Sequence, residues 1–184
     1  MKKLIFLLVP VVAALLITCS SKPAAQQIPD SPPWINESAP EDVIWGIGLA
    51  KQSDRAMSMT TAEARARVSI ARQLDARVRA MFTDYNRDAG TTAAQANVSL
   101  QENVSRTLTQ VNLSGASVDR TWVASDGTFW VRVSYSKTAA RNMLSNVFDS
   151  EAARYAEFKA DEALRMMDSQ LAALNQQAPT VVSD

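Results

Sequence analysis

Reactive side chains are scarce in this chain. Cys19 is its single cysteine, and it has no histidine. That composition does not support a zinc, copper or haem site of the usual ligand type. It also rules out an internal disulfide. Gly46-Ile47-Gly48 looks at first like a nucleotide loop. A dinucleotide fingerprint needs a third glycine three residues later at a helix start, and Lys51 stands there instead. No spacing singles out a carboxylate pair or a Ser–Lys pair for acid–base or nucleophilic work. The expectation is a protein that is not an enzyme and has no metal or cofactor site. The chemistry that remains belongs to Cys19, which lies in Leu15-Leu16-Ile17-Thr18-Cys19-Ser20-Ser21-Lys22, where an apolar run gives way to a polar one.

The sequence upstream of Cys19 says what that thiol is for. Lys2 and Lys3 are followed by fifteen mostly apolar residues, Leu4 to Thr18, broken only by Pro10. A bilayer-spanning helix needs roughly 20. The run is short for a span and suits a secretion signal. Leu16-Ile17-Thr18-Cys19 resembles a bacterial lipobox, with Thr18 where Gly, Ala or Ser is usual. In that motif a diacylglycerol alkylates the thiol and the signal is cut just before it. Two or three acyl chains anchor a protein firmly where one does not. Ser20, rather than an aspartate, follows the cysteine, as in lipoproteins sent to the outer membrane. The other reading is an ordinary secreted chain with an incidental cysteine.

The 184 residues are 47% hydrophobic and 21% charged, which is enough for one folded domain with additions. The formal charge is zero, and −2 once Lys2 and Lys3 leave with the signal. No bulk basic charge is available to hold nucleic acid. Residues 20–41 carry five prolines and read as a linker. Its 22 residues reach roughly 70 Å when fully extended. Within it, Pro32-Pro33-Trp34-Ile35 reads either as a stiff segment docked by Trp34 or as an exposed proline ligand.

The elements expected to position these features follow from periodicity. Val43, Trp45, Ile47 and Leu49 alternate with Ile44, Gly46 and Gly48 in a strand, and the two glycines leave one face bare for close approach. Asp54 or Thr60 caps a long helix whose Ala62, Ala66, Ile70, Leu74, Val78 and Phe82 repeat every four residues. Its arginines, from Arg65 to Arg87, read as a solvated face paired with Glu63, Asp75 and Asp84, or as an edge for anionic lipid or an acidic partner. Residues 91–99 read as loop. Leu100, Val104, Leu108 and Val111 predict a short helix that stops at Gly115. Strands 117–124 and 128–135 flank Asp126-Gly127, a two-residue hairpin turn signal. That register opposes Trp122 to Val131 and puts Trp130 and Val123 together on the outer face. The two residues are then either covered by the linker or the C-terminal helix, or serve as a subunit or partner contact. Two further helices are expected, separated near Asp149-Ser150, with a frayed tail over 178–184.

The predicted class is α+β, a three-stranded antiparallel sheet packed by a long helix, with an added C-terminal helix. The predicted organisation is 1–18 signal peptide, 19–41 lipidated N-terminus and Pro-rich linker, 42–149 α+β domain, and 150–184 C-terminal helix and tail. Over roughly 33–136 the chain resembles the Lpp-twenty group of bacterial lipoproteins, a twenty-kilodalton family that includes flagellar FlgP-type proteins. Pro33-Trp34-Ile35, Gly46-Ile47-Gly48 and the Ala/Arg-rich stretch 62–74 carry the likeness, with Trp122, Asp126-Gly127 and Trp130-Val131-Arg132-Val133. The resemblance implies a dodecin-like or FlgT-N-like fold. It also implies a non-enzymatic, outer-membrane-associated assembly role facing the periplasm, with flagellar motility as one setting. The partners it implies are membrane lipid through Cys19 and a second copy or another envelope protein. The alternative is a small-ligand-binding or adaptor lipoprotein, with a pocket between sheet and helix near Trp45, Gly46 and Gly48.

Overall fold

The computed structural model describes residues 30–89, 94–110, 113–155, 158–176 and 181–182. Cys19 and the expected signal segment lie outside the described residues, as does Val111. The architecture is α+β. Strands β1 (Val43–Ala50), β2 (Ser117–Val123) and β3 (Phe129–Ser136) form an antiparallel sheet in the order β2-β3-β1. Helices α1 (Arg55–Ala89), α2 (Ala94–Gln110), α3 (Lys137–Ala152) and α4 (Ala160–Ala172) complete the fold.

The tail was expected to fray. Val181–Val182 instead form a two-residue strand, β4, parallel to β1 at Ile47 and Gly48. Two more expectations shift. Residues 94–99 belong to α2 and not to a loop. The break after α3 falls beyond Ala152 rather than at Asp149-Ser150, with a turn closed by the Arg154 N–H donating to Glu151 O.

Asp54 caps α1, its carboxylate accepting the Met57 N–H at 3.0 Å. Along α1 the four-residue repeat of small and branched side chains faces inward. Ala62, Ala66, Ile70, Leu74, Val78 and Phe82 are fully buried. The near half of this stripe lies on the bare face of β1. A Cβ on Gly46 or Gly48 would fall onto the backbone of Ala66 or Ala62. The helix therefore sits on the strand with no side-chain layer between them, and its side chains bond the strand directly. Arg65 Nη1 donates to Leu49 O at 2.7 Å, and Gln73 Nε2 donates to Trp45 O at 2.9 Å.

Length explains the remaining helices. At 1.5 Å per residue the 35 residues of α1 span about 52 Å, whereas an eight-residue strand spans only about 27 Å. The overhanging half of α1 needs other cover for its apolar stripe, and α2, α3 and α4 supply it. Phe82 meets Phe148 edge-on at 6.4 Å and stacks on Phe158 at 6.2 Å. Met81, Leu144, Ala163 and Met167 are buried around them. The C-terminal helix is thus part of the main core.

Three of the seven arginines on α1 form ion pairs along the helix. Arg67 bonds Glu63 at 2.9 Å, Arg79 bonds Asp75 at 2.8 Å and Arg87 bonds Asp84 at 3.1 Å. Each is an exposed or half-exposed helix pair and contributes a few tenths of a kcal/mol.

Candidate functional site

The hairpin register decides what the outer face of the sheet can do. The expected two-residue turn is not formed. Ala124 N–H donates to Thr128 O and Gly127 N–H donates to Ala124 O, so Ser125, Asp126 and Gly127 make a three-residue loop. Gly127 has φ +88, the left-handed conformation such a loop needs at its third position. The Asp126 carboxylate accepts the backbone N–H and then the hydroxyl of Thr128, with Lys51 beside it, and these hold its carboxyl below the ordinary value.

One extra loop residue moves every side chain of β2 to the other face. Trp122 now opposes Trp130 and Val123 opposes Phe129. The pairing of Trp130 with Val123 on one face is therefore corrected: they lie on opposite faces. The pattern slips once more at a bulge between Val118 and Arg120.

The outer face is closed at this end. Pro32-Pro33-Trp34-Ile35 folds back in a turn, with Ile35 N–H donating to Pro32 O, and lays Trp34 onto the sheet. Trp34, Ile47 and Trp130 form a small second core, flanked by Ile35, Leu49 and Trp122. Trp130 is only 5% exposed. Trp34 from the preceding segment thus covers Trp130 on this face. The proline segment is likewise docked rather than presented.

Arg132 is the centre of this latch. Its side chain is 2% exposed. The guanidinium carbon lies 3.6 Å from the Trp45 ring centroid and 5.2 Å from that of Trp34. Its Nε donates to Asp119 Oδ2 at 2.6 Å and its Nη1 to Glu37 Oε2 at 2.9 Å. A buried cation between two aromatic faces, with a carboxylate from β2 and another from the docked segment, ties linker, edge strand and central strands into one unit. Sequence reasoning placed Arg132 on the outer face but gave it no role. An arginine two residues after Trp130, on the same face of the strand, was the available signal. The roles of Glu37 and Asp119 had none.

The inner face has an open cleft of about 730 Å³ where β2 meets the start of α1, lined by Asp54, Arg55, Ala56, Met59, Thr121, Trp122, Val123 and Phe129. Arg55 covers the Phe129 ring at 5.2 Å, and Val123 is 40% exposed on the rim. The ligand pocket expected near Trp45, Gly46 and Gly48 is filled by the backbone of α1 on one side and by Arg132 on the other. A second, smaller cleft of about 250 Å³ at the start of α3 is lined by Lys137, Arg141 and Asp168, among others. There burial pulls Lys137 below its ordinary value against the opposing pull of Glu41 and Asp42. The Arg141 Nε bond to Asp168 at 2.7 Å closes one side of it.

Compared with protein-family models, curated proteins and solved structures, the chain matches none.

Proposed function

We propose that this protein is a lipoprotein anchored to the periplasmic face of the outer membrane through Cys19, and that its α+β domain is a non-enzymatic structural or assembly module. The likeness to the Lpp-twenty group points to envelope assemblies, the flagellar motor among them. The observation that carries the reading is the latch. The stretch following the tether is locked to the sheet by Trp34, Glu37 and Arg132. A lipid on Cys19 would therefore hold the folded domain itself rather than a loose arm.

Anchoring confines copies to two dimensions and raises their effective concentration, so weak contacts suffice for assembly. Strand β2 is an edge of the sheet and largely exposed. It is the place where a second copy or another envelope protein would meet the domain. Cys19→Ala is expected to move the protein from the membrane pellet to the soluble periplasmic fraction. If the variant still pellets with membranes, lipid on Cys19 is not the main tether.

A further inference from the structure

We propose that the end of the domain carrying the β2–β3 loop is its lipid-facing end, with Met57, Met59 and Val123 resting in the membrane interface. The inference rests on the reading of Cys19 as the anchor and adds to it an orientation and a contact surface.

The first argument is where the described chain begins. Asp30 is bonded at the β2–β3 loop, its carboxylate accepting the Ser125 hydroxyl at 2.5 Å. Ten residues lie between it and Cys19, eleven Cα–Cα steps in all. Fully extended they span at most about 40 Å, and any less extended path brings the loop nearer the lipid. The loop end is thus held within that distance of the membrane. The C-terminal end of α1 lies about 50 Å further along the helix.

The second argument is what this end exposes. Met57 is 57%, Met59 41% and Val123 40% exposed, three of the six large apolar side chains that reach solvent among the described residues. Met57 and Met59 lie in the first turns of α1. Met59 and Val123 line the same cleft on the inner face. Methionine adapts its shape to an irregular partner such as the lipid–water boundary.

The third argument is charge. Asp126 is occupied by Thr128 and Lys51, Asp54 by the Met57 N–H, and Arg55 lies over Phe129. Local charges are mixed and already partnered, so the contact is apolar and does not need an anionic lipid.

The test uses the full lipidated chain in zwitterionic vesicles, with an environment-sensitive dye on Met59→Cys, on Val123→Cys or, at the far end of α1, on Thr83→Cys. Lipidation consumes the native thiol, so only the introduced cysteine takes the dye. Flotation with the vesicles reports the anchor. Quenching by bromine-labelled acyl chains reports the contact. The expected result is that all three variants float and the probes at 59 and 123 are quenched, as for groups seated in the interface, while the probe at 83 keeps its full signal. Floated protein with silent probes at 59 and 123 would overturn the orientation and leave the anchor standing. Protein that does not float would overturn the anchor, and the orientation with it. Because Val123 and Met59 sit on different elements, a folding defect in one variant does not decide the result.

Discussion

Gly48→Ala is expected to lose about 3 kcal/mol or more of stability, at or beyond the upper end of what overpacking usually costs. The added methyl meets the Ala62 carbonyl oxygen and the Ala66 nitrogen, which are backbone atoms of a long helix. A flexible side chain could swing away, but a helix backbone must move as a body. Moving α1 off β1 would strain the Arg65 and Gln73 bonds to the strand and open the core along Ala62, Ala66 and Ile70. Gly127→Ala is the comparison. It meets open space but has a positive φ, so it should cost only about 1–2 kcal/mol. Urea denaturation of both variants measures the difference. A Gly48→Ala midpoint equal to wild type would mean that helix and strand are not in backbone contact.

The second large effect concerns the latch, and the order of the effects is what matters. Removing both acids, as Glu37→Ala with Asp119→Ala, strands a 2% exposed guanidinium with no counter-charge. An unpaired buried charge costs about 3–5 kcal/mol. Arg132→Met removes the buried charge instead. The remaining acids reach water, at 43% exposure for Glu37 and 34% for Asp119, and the thioether refills the space against Trp45 and Trp34. The cation–π attraction of about 1–2 kcal/mol is lost, but no charge is left stranded. The acid-free variant should therefore be the less stable of the two. The opposite order in thermal or urea unfolding would place Arg132 in a hydrated setting.

The parts of the fold that follow one repeat could be read from the sequence. The four-residue stripe of α1, the alternation of β1 and the meaning of Gly46 and Gly48 all needed only a period and a steric argument. The hairpin could not be read in the same way. The two-residue register keeps Trp122 opposite Val131 on the inner face, but Trp34 folds back and gives the outer face a core of its own, so Trp122 finds apolar cover there instead. A residue 88 positions before Trp122 thus decides where Trp122 belongs, and no local pattern reports it. The fate of Trp130 and of the tail strand β4 was hidden for the same reason, since both depend on contacts distant in sequence. The C-terminal helix was read as an addition because its apolar face carried no sign of its partner. The 52 Å length of α1 against the shorter strands was the clue.

The central claim is that lipid on Cys19 holds a latched domain to the membrane. The measurement that tests it most directly is the intact mass of the protein extracted from membranes, with fragmentation of its N-terminal peptide. The predicted result is a chain beginning at Cys19 and carrying a diacylglycerol on the sulfur. A membrane-extracted chain whose Cys19 thiol is free, or whose signal segment is still attached without lipid, would contradict it.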